Sequence, residues 1–121
     1  MSLIKTWHKP KYFVIEEFVC KCGCGLGKGK DDALPAVIII ALDTIRARIK
    51  MPLIVNSGWR CPEHNARSGG VKTSKHLDGY AVDVSAQNYQ VLLRESLKIA
   101  GEHNLKTIPY NDRKFIHLEL I

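Results

Sequence analysis

Leu34, Ile38, Ala41, Leu42, Ile45 and Ile49 recur at the three-to-four spacing that gathers apolar side chains along one side of an α-helix. Asp31 or Asp32 is placed to cap that helix, and Pro35 suits its first turn, where no backbone donor is needed. Pro52 stops it, and Leu53, Ile54 and Val55 form a short β-prone run. Residues 57–79 are rich in Gly, Ser, Asn, Pro and Arg and show little periodicity, which predicts a long loop of the kind that often carries function. Beyond it Tyr80, Val82 and Val84 alternate with Ala81, Asp83 and Ser85, predicting a strand with Asp83 on the face opposite the valines. A second helix is predicted over 88–100, with Tyr89, Leu93, Ser96, Leu97 and Ala100 sharing a face and Gly101 placed to end it. The final strand is predicted over 114–120. There Ile116, Leu118 and Leu120 point one way, and Phe115, His117 and Glu119 the other.

This order of elements predicts an α+β fold, a small antiparallel sheet with flanking helices. The 121 residues suit one domain, with residues 1–18 as an N-terminal extension and 19–121 as the core. A hydrophobic content of 45% against 25% charged residues is globular composition and excludes a disordered chain. Residues 1–18 carry Lys5, Lys9, Lys11, Glu16 and Glu17 and no continuous apolar stretch, so a secretory signal or membrane span there is not expected.

The net charge of +6 and the pI near 9.3 favour polyanionic partners: nucleic acid, acidic lipid, or a wall rich in phosphate and carboxylate. Charge alone does not choose among them, but no run of five like charges suggests a nucleic-acid-binding arm. Four cysteines stand at Cys20, Cys22, Cys24 and Cys61. Without a leader, reduced thiols are expected rather than two disulfides. The C-x-C-x-C spacing departs from the usual C-x-x-C zinc knuckle, so a structural or incidental role is expected, with a second metal site using Cys61 or His64 as the alternative.

Three polar residues carry the chemistry. Asp78-Gly79 is a strong turn signal, so His76 can fold back toward Asp83, and His117 comes from another strand of the same sheet. Two imidazoles and one carboxylate leave a fourth tetrahedral position for water, as at a catalytic zinc. By spacing alone, a hydrogen-bonded histidine–aspartate pair is the commoner explanation.

The surrounding wording separates these readings. Ser57-Gly58-Trp59-Arg60-Cys61-Pro62-Glu63-His64-Asn65, then Gly69-Gly70, then the run from Ser74 through His76, Gly79 and Ala81 to Asp83, and finally Phe115-Ile116-His117-Leu118-Glu119, together resemble the M15 family of zinc peptidases. That family contains D-alanyl-D-alanine carboxypeptidases and phage endolysins, and the likeness is to its short subfamily. It runs from about Phe18 to the last residue.

The resemblance implies a hedgehog/D-Ala-D-Ala-peptidase-like fold, a Zn2+ cofactor held by His76, Asp83 and His117, and hydrolysis of a peptide bond in peptidoglycan stem peptides. It leaves open whether that bond is a terminal D-Ala–D-Ala, an L-Ala–D-Glu or a cross-link. Arg60 would stabilise the developing oxyanion, against the plainer alternative of a loop-bracing ion pair. Ser74 would hydrogen-bond near the substrate, unless it is only a turn residue. Gly79 and Ala81 are steric requirements, a tight turn and a small side chain beside the metal. Larger relatives carry an acidic residue three positions before the last histidine ligand, where this chain has Lys114. Glu119, two residues after His117 on the same strand face, is then the expected general base. A ligand-orienting role for it is the alternative, and Asp112 is a weaker substitute as base. Trp59 and Tyr80 could line the cleft or pack in the core.

The expectation is therefore a monomeric zinc peptidase acting on peptidoglycan, with no nucleic-acid partner and no membrane insertion. Without a signal it would be made in the cytoplasm and reach the wall after phage-type release or as a virion component. The alternative is a zinc-containing wall-binding module of the same fold with weak or no turnover. A nucleic-acid-binding domain would leave the His/Asp/His set unexplained.

Overall fold

A computed structural model of the chain describes residues 9–28 and 34–121. Its elements are α1 (Ala36–Ile49), β1 (Ile54–Ser57), α2 (Pro62–Arg67), β2 (Ala81–Ser85), α3 (Tyr89–Glu102), β3 (Leu105–Tyr110) and β4 (Phe115–Leu120). Among the described residues, two 3₁₀ turns, Ile15–Phe18 and Lys75–Asp78, accompany them. The four strands form one antiparallel sheet in the order β1-β2-β4-β3, which is the α+β architecture expected.

The predicted α1 stripe is buried in full, and Ile38, Leu42 and Ile45 join Val82, Val84, Ile116 and Leu118 in one core. Asp31 and Asp32 lie outside the described residues; Pro35 occupies the position just before the helix rather than its first turn. On α3 the buried face is shifted from the expected one. Leu92 and Ile99 lie inward with Tyr89, Ser96 and Ala100, while Leu97 is exposed. Gly101 does not end that helix. The chain continues helically to Glu102, and the reversal is taken by Asn104 at φ 57°.

Two further corrections concern residues without a strong pattern. The 57–79 stretch contains α2 and the Lys75–Asp78 turn, nucleated where the Cys61 sulfur accepts the His64 N–H and the Ser74 hydroxyl accepts the His76 N–H. Strand β3 was not expected at all, and its Pro109 is tolerated because β3 is an edge strand. At the other end, Phe13 and Phe18 are core residues, and the backbone N–H groups of Lys11 and Tyr12 both donate to Asp43 on α1. The expected N-terminal extension is therefore packed on the domain from residue 11 onward.

Alternation along β4 sends Ile116 and Leu118 into the core and His117 and Glu119 to the opposite face. On β2 the same rule turns Val82 and Val84 inward and Asp83 outward, yet Asp83 is also buried because the 57–79 segment covers it. That covered face is where the polar residues meet.

Candidate active site

Asp83 and His117 are paired directly across β2 and β4, and His76 arrives on the 3₁₀ turn that precedes β2. That turn closes through Gly79 at φ 73°, and a Cβ built there would lie 2.5 Å from the Trp59 ring. Glycine is therefore required for both backbone and space. Trp59 is buried in the core rather than forming a cleft wall. Ala81 is fully buried and pairs with Glu119, in keeping with the small side chain expected there.

His76 Nδ1 donates to the Gly58 carbonyl at 2.7 Å, which leaves the Nε2 lone pair pointing inward in the neutral ring. This Nε2 is fully buried and has no hydrogen-bond partner. It lies 3.2 Å from Asp83 Oδ1 without the geometry of a hydrogen bond. His117 Nδ1 lies 2.7 Å from the same Oδ1, and its Nε2 lies 2.7 Å from Glu119 Oε1. All three residues present a donor atom within 4.8 Å of the others. Donors around a tetrahedral zinc at about 2.0–2.1 Å stand roughly 3.3 Å apart. The set thus fits a metal ion, and the orphaned, inward-facing Nε2 is the atom a metal would satisfy.

The electrostatics of these residues agree. Burial would push the Asp83 carboxyl up, but His117 and then His76 outweigh it and hold it down at about 2. Burial pulls His117 down, but Asp83 and Glu119 more than compensate, so it titrates above the ordinary imidazole value. For Glu119, burial works upward while His117, Lys75 and Lys106 bring the carboxyl below its usual value.

Arg60 stands at the end of the loop after β1. It donates through Nε to Ser57 Oγ at 2.9 Å, through Nη1 to Asn65 Oδ1 at 3.3 Å, and through Nη2 to Asp83 Oδ2 at 3.0 Å. Three of its five donors are thereby engaged and two remain. Asn65, itself buried, also donates to the Val71 carbonyl, and a Cβ on Gly70 would come within 2.1 Å of its Oδ1. The Gly69-Gly70 pair thus lets the loop close over Asn65 and hold Arg60 against Asp83.

These groups lie in a cleft of about 410 Å³. Ser74, Lys75 and Glu119 line it, with Tyr110, Arg113 and Phe115 on the β3–β4 side. Ser74 therefore faces the cleft while its hydroxyl also caps the Lys75–Asp78 turn. Glu119 is the only carboxylate besides Asp83 among the described residues of the lining. Its Oε2 lies 3.6 Å from Lys75 Nζ, which also donates to the Leu120 carbonyl. Asp112 is exposed in the β3–β4 turn and does not line the cleft. Lys114 turns away as well, placing its ammonium 5.4 Å above the Tyr89 ring.

Sequence reasoning missed Lys75, Arg113 and the stacked Tyr110–Phe115 pair, whose ring centroids are 4.4 Å apart. Phe115 was within the closing motif, but its partner belongs to the unexpected β3.

Residues 11–119 match the family described as Peptidase M15. No curated protein matches the sequence. Among solved structures, the chain is similar to the Serratia marcescens L-Ala D-Glu endopeptidase ChiX. The two share 26% identity over 70% of this chain and 75% of that one, with a TM-score of 0.46.

Proposed function

The chain belongs to the peptidase M15 family, and from that premise we propose that it is a zinc peptidase hydrolysing a peptide bond in bacterial peptidoglycan stems. The observation that carries the proposal is the convergence of His76 Nε2, Asp83 Oδ1 and His117 Nδ1 at the floor of an open cleft. A bound zinc ion would supply Lewis acidity and lower the pKa of water to about 7. His76 is anchored for this purpose by the Gly58 carbonyl, and Asp83 by Arg60.

Glu119 is proposed as the general base that takes the proton of the attacking water. The support is its position: it is the cleft's remaining carboxylate, and its lowered pKa keeps it ionised at neutral pH. Arg60, with two uncommitted donors at the cleft, would steady the negative charge developing on the substrate carbonyl oxygen. Ser74, which also lines the cleft, would hydrogen-bond near the substrate. The basic Arg60, Lys75 and Arg113 suit a short peptide bearing free carboxylates.

A second reading of Glu119 has its own observation. Its 2.7 Å contact with His117 Nε2 is the geometry by which a carboxylate fixes the tautomer and orientation of a metal-ligating histidine. Replacement by glutamine separates the two, because the amide oxygen still accepts from Nε2–H but cannot take up a proton.

The substrate is tested by digesting purified cell wall and weighing the released muropeptides. The mass and the new termini identify the bond cut. Unchanged muropeptides would instead support a wall-binding module without turnover.

A further inference from the structure

Among the described residues, a second cluster of side chains that could hold a metal ion lies outside the cleft. Cys20, Cys22 and Cys24 come from the loop after the Ile15–Phe18 turn, and Cys61 from the residue preceding α2. All four are free, and their sulfurs lie within 4.8 Å of one another. Cys20 Sγ is 3.5 Å from Cys22 Sγ, and Cys22 Sγ is 3.6 Å from Cys61 Sγ. A disulfide would need about 2.0 Å. Four thiolates at about 2.3 Å from a tetrahedral zinc stand roughly 3.8 Å apart. The observed separations fit the second arrangement.

The local backbone is built to bring these sulfurs together. Gly23 and Gly25, alternating with the cysteines, have φ of 87° and 90°, and a Cβ on either would meet nothing within 4 Å. Glycine is therefore used there for its left-handed backbone, which curls a C-x-C-x-C run so that its thiols converge without a C-x-x-C spacing. The loop is tied to the second segment by Trp59 N–H donating to the Phe18 carbonyl at 2.9 Å. Gly58 lies so close that a Cβ there would come within 2.6 Å of that carbonyl oxygen. Two backbone donors also point at sulfur: Cys61 N–H at Cys20 Sγ and His64 N–H at Cys61 Sγ, each at 3.4 Å. N–H groups aimed at sulfur stabilise thiolate charge, as metal sites require.

We propose that Cys20, Cys22, Cys24 and Cys61 form a structural metal site, a tetrathiolate centre for zinc, that fastens the N-terminal loop to the segment bearing Gly58 and Arg60. All four coordination positions are filled by protein sulfur, leaving none for substrate. Gly58 anchors His76 and Arg60 anchors Asp83, so the centre braces the cleft from behind. The inference does not rest on the proposed hydrolysis, nor on metal binding by His76, Asp83 and His117.

The test uses the full chain purified under reducing conditions without chelator, alongside a His76→Ala/Asp83→Asn variant that disables the cleft ligands. Elemental analysis should find one zinc in that variant, and cobalt(II) replacement should give it a strong near-ultraviolet sulfur-to-cobalt absorption. Added zinc should shield its four thiols from a thiol reagent. Cys24→Ser, at an exposed position, should weaken zinc retention at least tenfold, and Cys22→Ser/Cys61→Ser should remove the cobalt absorption. Absence of metal from the cleft variant, with all four thiols equally reactive with and without added zinc, would overturn the proposal even if the cysteine variants failed to fold. A sulfur-free cobalt spectrum would overturn it too.

Discussion

Asp83 and His117 face one another in register on neighbouring antiparallel strands, with His117 Nδ1 2.7 Å from Asp83 Oδ1. The spacing of two candidate ligands is thus set by the ladder itself, which is as rigid an element as a small domain offers. Arg60 closes on the far oxygen of the same carboxylate at 3.0 Å, leaving Oδ1 to the two histidines.

Asp83→Ala should therefore damage the fold as well as the metal site. It leaves the half-buried Arg60 guanidinium without its counter-charge, and breaking such a pair costs about 3–5 kcal/mol. Denaturant unfolding of metal-free protein should show that loss. Asp83→Asn, which keeps an acceptor of the same shape, should lose less stability while still binding metal poorly. Equal stability for wild type and Asp83→Ala would show that the Arg60–Asp83 contact has no energetic role.

Glu119→Gln is expected to keep bound metal and fold but lose ~10²–10⁴-fold in turnover, the usual worth of a general base. Glu119→Ala should in addition weaken metal binding by ~10–100-fold, because the acceptor for His117 Nε2–H is gone. Near-normal turnover in the glutamine variant would assign Glu119 the orienting part alone. Lys114→Ala should matter little, since Lys114 faces the Tyr89 ring and not the cleft.

Metal affinity should rise with pH. His117 in the metal-free chain holds its proton above the ordinary imidazole pKa, because Asp83 and Glu119 outweigh the effect of burial. That proton must leave before the ring can act as a ligand. Below the raised pKa, apparent affinity should gain about tenfold per pH unit for the one proton released, and it should level off above it. Competition with a chromophoric chelator across pH measures the slope. A flat response through the neutral range would contradict protonation of His117 in the empty site.

Gly79→Ala tests the turn that delivers His76. A left-handed backbone costs a non-glycine residue about 1–2 kcal/mol, and the new methyl would press on Trp59 at 2.5 Å. Lower thermal stability together with weaker metal binding is expected. Stability at the wild-type level would mean that the turn adapts freely.

The meeting of His76, Asp83 and His117, the sheet class and the α1 stripe were legible in the sequence because each is written in local pattern: a turn before a strand, alternation along β4, helical spacing. The elements that escaped lack such pattern. In β3, Leu105–Tyr110, a proline interrupts weak alternation, and the strand is identified by its pairing with β4 rather than by its own residues. Helix α2 has six residues, too few for periodicity to show. On α3 the apolar residues Leu92, Leu93 and Leu97 permit two faces, and packing against α1 and the sheet selects the one containing Leu92. The cysteine cluster was obscured because Cys61 lies 39 residues beyond Cys22, a distance that only the folded loop closes.

The most direct measurement is digestion of purified peptidoglycan, and of a synthetic stem peptide, with metal-loaded protein. The proposed function predicts new free amino groups with matching peptide masses, no new reducing sugar ends, no cleavage of an all-L protein such as casein, and loss of activity on chelation with return on adding zinc. New reducing ends would make the chain a glycosidase, and release of amino groups undiminished by a strong chelator would contradict a metal centre at His76, Asp83 and His117.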